Sequence, residues 1–343
     1  MVHTPEAADP PIAGLEHDVR ARRRRRGYLA ALGVVVGLGI ILMAYNLFAS
    51  WLVRREDRRV ERCADGVVMR GAEELDLGPK DSPTAVLFVH GFAGATNNFK
   101  ELPEYVARRG YRARVIRLPG HGTSPRDLER VTADQLVDTV VAEAEALRRK
   151  HEKVYLVGHS MGGALCTIAA ARVPVDGLVL GGAYFGVTHR WYYGLRPETW
   201  TRLTRPAVRW VYKGKLFLQV NRKEAKNRIV SYTWLPSKAG LTLAEIGRRV
   251  NEPAVLNDVN CPVLMLHSHG DVAASPEAAE SAFDRLASDD RSLVWIDKSN
   301  HHVFWDYDHE SVRDLVLSFV SGRFKKFSEK STLSALEAMR VNP

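Results

Sequence analysis

From Ala85 onward the chain alternates short apolar runs of strand length with longer stretches whose apolar positions fall at helical spacing. Strands are predicted near 85–90, 112–117, 154–157, 176–181, 262–267 and 292–296. Helices are predicted near 97–109, near 132–150 and from Gly163 onward. Strand–helix repetition of this kind builds a mostly parallel sheet with helices on both faces. Between Ala183 and Asn260 the alternation stops, so this segment reads as an insertion, expected to be helical.

A different pattern opens the chain. Residues 28–53, Tyr28 to Val53, carry no charge, and as a helix they span about 39 Å, more than a ~30 Å hydrocarbon core. Tyr28 and Trp51 stand at the edges, where aromatic belts form. Arg22 to Arg26 flank one side and Arg54, Arg55, Arg58 and Arg59 the other, which a buried core helix would not tolerate. The run is long for a signal peptide and no convincing Ala-x-Ala site follows it. A single-pass transmembrane helix is expected. The basic run on the N-terminal side is denser, which puts the N-terminus in the cytoplasm and the rest outside, though the basic far flank narrows the margin.

The chemistry begins at Gly158-His159-Ser160-Met161-Gly162, between the run Val154–Val157 and the helix opening at Gly163. A serine at such a sharp strand–turn–helix junction is held strained and exposed above the sheet, with a helix N-terminus behind it to favour a developing oxyanion. A serine hydroxyl needs a histidine base and a carboxylate to orient that histidine. Asp271 follows the run Pro262–His267, and His301 follows Ser292–Ile296, so acid and base come in that order after the serine. His302 adjoins His301 and competes with it. Asp258 precedes its strand and falls at the wrong end of the sheet, whereas Asp297 follows the last strand and stays open as an alternative acid. His267 and His269 read as strand-end and loop residues. The amides of Met161 and Phe92 are the expected oxyanion donors, Phe92 coming from the loop His90-Gly91-Phe92-Ala93-Gly94 after an early strand.

At these residues the chain resembles the α/β-hydrolase superfamily, and within it the bacterial carboxylesterase and monoacylglycerol lipase group. The resemblance rests on His90–Gly94, Leu118-Pro119-Gly120-His121-Gly122, Gly158–Gly163, Asp271 with Pro276, and His301 with Asp306, and it covers about residues 83–322. It implies ester hydrolysis through an acyl-enzyme with Ser160, Asp271 and His301 as the triad, and it decides for His301 over His302. His90 and His121 become structural. The insertion takes the place of a cap over the active site. Ala274 departs from the Val or Ile usual three residues after the acid, which leaves the pocket shape there open. Dehalogenases and epoxide hydrolases of this fold carry Asp at the elbow, where this chain has Ser160. A second reading is an acyltransferase using the same triad, and a third is a non-catalytic membrane scaffold.

The expected division is a polar and basic segment at 1–27, the transmembrane helix at 28–53, a linker with first strands and a possible hairpin around Gly66 and Gly71 at 54–82, a core at 83–182 and 261–322, the cap at 183–260 and a tail at 323–343. No metal-ligand spacing appears, and no metal or cofactor is expected. Cys63, Cys166 and Cys261 are too far apart for a disulfide framework. The net charge of +9 fits a membrane or nucleic acid, and with no nucleic-acid motif the membrane is preferred. The cap combines aromatics (Trp191, Tyr192, Tyr193, Trp200, Trp210, Tyr212, Phe217, Trp234) with Arg190, Arg202, Arg205, Arg209, Lys213, Lys215, Arg222 and Lys223. Most of these fit a cap core and a solvated face; the sharper expectation is a lid facing lipid. The tail, with Phe324, Phe327, Leu333 and Leu336, reads as a short amphipathic helix or a frayed end. The partners expected are a lipid or ester substrate and the membrane; the oligomeric state is not encoded legibly.

Overall fold

The structure is a computed structural model that describes residues 13–189, 194–195, 197–214, 218–325 and 329–341. It divides into two units, residues 1–52 and 53–343. The described residues of the first all lie in one long helix, α1 (Ala13–Asp57). Its stretch Arg22–Asp57 is long and apolar enough to cross a membrane, with a mean hydropathy of 2.3 in its most apolar window.

The second unit is built on an eight-stranded sheet. In chain order the elements are β1 (Leu75–Leu77), β2 (Thr84–Val89), α2 (Leu102–Arg108), β3 (Arg112–Ile116), α3 (Pro125–Leu128), α4 (Ala133–Arg148), β4 (Lys153–His159), α5 (Met161–Ala170) and β5 (Gly177–Gly181). The insertion holds α6 (Pro197–Thr204), β6 (Trp210–Tyr212), β7 (Trp234–Pro236), α7 (Ser237–Val250) and α8 (Pro253–Asn257). Then follow β8 (Val263–Ser268), α9 (Pro276–Arg285), β9 (Arg291–Ile296), α10 (His309–Val320), β10 (Lys330–Thr332) and α11 (Leu333–Val341). The strand order is β1-β3-β2-β4-β5-β8-β9-β10, and every pairing is parallel except β1 with β3.

Successive side chains of a strand point to opposite faces, and here each face meets its own core. Leu87, Val89, Leu156, Leu180 and Met265 join one buried cluster with α4, α5, α7 and α9. Phe88, Val157, Val179, Leu264 and Val294 join the other with α2, α10 and α11. This double burial is why the strands read as continuous apolar runs. Helix α4 starts where the sequence signals it: Thr132 Oγ1 accepts from the Gln135 amide at 3.2 Å and Gln135 Oε1 accepts from the Thr132 amide at 3.0 Å.

Four expectations change. The helix near 97–109 is a 3-10 turn at Thr96–Phe99 followed by α2, because Lys100 turns the backbone to φ 53. The insertion is not purely helical: β6 and β7 pair as an antiparallel ribbon whose Trp210 and Trp234 are buried. The tail is part of the core. β10 pairs with β9 in register Lys330 to Leu293, and Leu333 and Leu336 of α11 are buried beneath the sheet. The expected hairpin around Gly66 is a single antiparallel bridge, Arg62 to Met69. Within the tail, Phe327 lies outside the described residues.

Because Leu336 fills a packed site, Leu336→Ala is expected to lower stability by about 2–4 kcal/mol. A urea midpoint that does not move would show that α11 is not anchored there.

Candidate active site

Three strands bring the site together at their C-terminal ends. Ser160 follows β4, Asp271 follows β8 and His301 follows β9. The turn into α5 holds Ser160 at φ 53, ψ −121, a conformation unfavourable for a side-chain-bearing residue. The Ser160 amide donates to Gly181 O at 3.1 Å, and its carbonyl accepts from Gly163, Ala164 and Tyr184. The flanking glycines answer a steric demand. A Cβ on Gly162 would collide with the carbonyl of Val89 in β2, and one on Gly158 would lie 2.5 Å from Gly162 O.

The polar line runs inward from Ser160. His301 Nε2 lies 2.9 Å from Ser160 Oγ, and His301 Nδ1 lies 2.8 Å from Asp271 Oδ2. The other Asp271 oxygen accepts from the amides of Ala273 at 2.8 Å and Ala274 at 2.9 Å. Burial alone would push the Asp271 carboxyl up. The adjacent His301, then His267 and the Ala273 amide, outweigh burial and hold it below the usual carboxylate range. With an acceptor carboxylate at Nδ1, the neutral His301 ring presents an unprotonated Nε2 to the serine hydroxyl. Such a line can take a proton from Ser160 and return it to a leaving group.

The His301 loop is itself clamped. Asn300 Oδ1 accepts from the amides of His301 at 2.9 Å and Val272 at 3.3 Å, tying the His301 loop to the Asp271 loop. Asp306, fully buried, accepts from the amides of Asn300 and Tyr307 on its own loop and of Asn221 and Arg222 on the insertion.

None of the rival residues joins that hydrogen-bonded line. The His302 ring stacks on His159 with centroids 4.9 Å apart. Asp258 caps α8 ahead of β8. Asp297 accepts from the Ser334 amide in the tail. His269 stacks on Trp295 at 3.8 Å. His267 lies 3.6 Å from Asp271 while its Nε2 faces Ala274 O. His90 bridges two loops, donating from Nδ1 to Gly91 O and accepting from the Leu118 amide at Nε2, and His121 faces Pro119 O. Met161 heads α5, so its amide has no helical acceptor. Among the described residues neither that amide nor the Phe92 amide meets an acceptor.

The site opens into a cleft of about 280 Å³. Phe92, Tyr184, Val187, Leu243, Val272 and Ala274 give its lining apolar surface, and Asn98, Lys213, Gln219, Ser231 and His302 give it polar groups. Ala274, the position that left the pocket shape open, bridges to Val187, which also lines the cleft. The basic face expected of the insertion is smaller than its composition. Lys213 lines the cleft and donates to Ser231 Oγ at 2.6 Å, and Arg209 forks onto Glu129 at 2.8 and 2.7 Å. Arg190, Trp191, Tyr192, Tyr193, Lys215 and Phe217 lie outside the described residues. Asn98 is buried and accepts from the Gly91 amide; no motif marked it, because it acts through the fold of the loop and not through spacing.

A parallel sheet flanked by helices, with a serine on a strained elbow and the acid and histidine following in chain order, defines an α/β-hydrolase. Residues 80–308 match the family Hydrolase_4, serine aminopeptidase, S33, and the chain belongs to that family. It is 27% identical over 253 residues to the thermostable monoacylglycerol lipase of Bacillus sp. (strain H-257), covering 74% of this chain and 95% of the lipase. It is 22% identical to the carboxylesterase of Bacillus subtilis, covering 70% and 94%. Among solved structures, one from a study of the metagenome-derived lipolytic enzymes LipS and LipT superposes with a TM-score of 0.67 at 27% identity, covering 74% of this chain and 99% of that one. The chain is a lipase- and esterase-like serine hydrolase.

Burial holds His90, His121, His159, His267 and His302 below the ordinary histidine range, His121 at about 4 and His159 at about 3. Between these lowered values and about 6.5 the unfolded chain binds protons that the folded chain refuses, so stability rises with pH there. Each such histidine removes up to about 1.4 kcal/mol per pH unit as acid is added. The urea midpoint is therefore expected to fall steadily from pH 6.5 to 4.5, and a flat profile would show these rings already take protons in the fold.

Proposed function

We propose that the protein is a membrane-anchored serine hydrolase that cleaves carboxylic esters of lipids through an acyl-enzyme on Ser160, with monoacylglycerols the leading substrate class. The chain is a carboxylic ester hydrolase, in keeping with its lipase and carboxylesterase relatives. The observation that carries the reading is the hydrogen-bonded line from Ser160 through His301 to Asp271, opening on a cleft with apolar residues in its lining.

The reaction follows from that line. Ser160 Oγ attacks the ester carbonyl carbon as its proton passes to His301 Nε2. The amides of Phe92 and Met161 receive the oxyanion. The tetrahedral species collapses, His301 gives its proton to the leaving alkoxide oxygen, and the alcohol departs. Water attacks the acyl carbon by the same route, losing its proton to His301, and Ser160 regains a proton as the acid leaves. Asp271 fixes the His301 tautomer and stabilises the imidazolium formed in each half-reaction. The apolar residues of the cleft suit an acyl chain.

The anchor rests on α1. Leu29, Val35, Ile41 and Phe48 are exposed along it, and a bilayer would remove that surface from water at about 25 cal/mol per Å². The insertion exposes Trp200 and Leu203, three residues apart on α6, with Val211 and Tyr212 on β6. These suit a cap that meets a lipid surface. The denser basic run before Tyr28 favours a catalytic unit outside the cytoplasm.

Assayed on monoacylglycerols of increasing chain length, the protein is expected to turn over longer chains best, and Ser160→Ala is expected to cost about 10⁴-fold or more in kcat. Activity that survives Ser160→Ala would overturn the mechanism; a maximum at short chains would make the protein a general carboxylesterase. The full chain should remain in the membrane pellet after carbonate extraction, and its release would remove the anchor.

A further inference from the structure

The lining of the cleft holds more hydrogen-bond donors than the fold satisfies. Lys213 follows β6, and its backbone amide donates to Thr233 O at 2.8 Å, so the ribbon aims its side chain at Ser231. Ser231 in turn is fixed. The Val230 amide donates to Asn97 Oδ1, Asn97 Nδ2 donates to Arg228 O, and the Tyr232 amide donates to Ala93 O. The segment carrying Ser231 is thus stitched to the loop that carries Asn98 and Phe92. An ammonium has three N–H donors. Ser231 Oγ takes one, and among the described residues no carboxylate pairs with Lys213. Burial accordingly pushes the Lys213 ammonium down to about 8. Asn98 adds a second surplus. Its Oδ1 accepts from the Gly91 amide, which fixes the amide orientation, and its Nδ2 is buried without an acceptor. Both residues line the cleft that holds Ser160.

Two donor groups with unfilled positions, one of them charged, in the lining of one reaction cleft call for an acceptor-rich anion. The same cleft also has apolar lining that matches an acyl chain, so the anion belongs to the other half of the ester. We propose that Lys213, oriented by Ser231 and joined by Asn98, binds a phosphate on the alcohol part of the substrate, making this hydrolase selective for acyl esters of phosphorylated alcohols over neutral ones. The proposal rests on the ester-hydrolase function above and assigns that site its substrate class. Lys213 acts here as a specificity residue; it takes no part in proton transfer.

The test compares 1-lauroylglycerol with 1-lauroylglycerol 3-phosphate on the full chain. The kcat/KM ratio of phosphate over neutral ester is expected to exceed one, to fall roughly tenfold or more in Lys213→Met, mainly through KM, and to recover in Lys213→Arg. A ratio unchanged by Lys213→Met, or a parallel loss on both esters, would overturn the proposal and leave the hydrolase function standing. Absence of Ser160-dependent turnover on either ester would overturn the function itself and this proposal with it. Dodecyl phosphate binding to Ser160→Ala gives a readout free of turnover: binding that persists in Ser160→Ala with Lys213→Met would also count against the lysine.

Discussion

The close approach of two backbones at the end of β4 governs the rest of the site. The chain must leave the sheet, reverse and enter α5 while passing against the carbonyls of β2, and it does so with Ser160 at positive φ. Such a conformation costs on the order of 1–3 kcal/mol, offset here by hydrogen bonds at both the amide and the carbonyl of Ser160. Glycine at 158 and 162 is the condition for that passage. From it follow the exposure of the serine hydroxyl, the acceptor-free amide of Met161 behind it, and the closeness of the Gly91–Phe92 turn. Because β2 and β4 are neighbours in the sheet, the elbow and the Phe92 loop emerge side by side, in the position where open α/β sheets place ligands.

The central strands and the elbow were legible because each is written as a local pattern. Doubly buried strands need unbroken apolar runs, and the elbow needs its two glycines. The acid and the histidine follow strands at their C-terminal ends, so topology alone brings Asp271 and His301 to the same edge as Ser160. What stayed hidden was set by tertiary context. β10 is Lys330-Ser331-Thr332, three polar residues that become a strand because β9 offers an edge and Leu333 and Leu336 find a core beyond it. The break at Lys100 splits an otherwise helical pattern. Lys213 read as one cation among many, since nothing local reveals that the β6–β7 ribbon turns it inward towards Ser231.

Histidine is used here in an unusual way. Most of the buried rings near the site serve as neutral spacers and hydrogen-bond bridges: His90 joins the loops after β2 and β3, and His159 packs between His301 and His302 while its Nε2 faces His301 O. His301 differs because it alone of these rings reaches both a carboxylate and the serine hydroxyl.

The Asp306 clamp has a mechanical consequence. One carboxylate holds two amides of the His301 loop and two amides of the insertion, so residues 221–222 and that loop share a single tether. Any breathing of the insertion that carried Asn221 away would strip the same carboxylate of half its donors and loosen the loop beneath His301. A motion of the insertion that leaves the His301 loop undisturbed is thereby confined to parts that Asp306 does not hold.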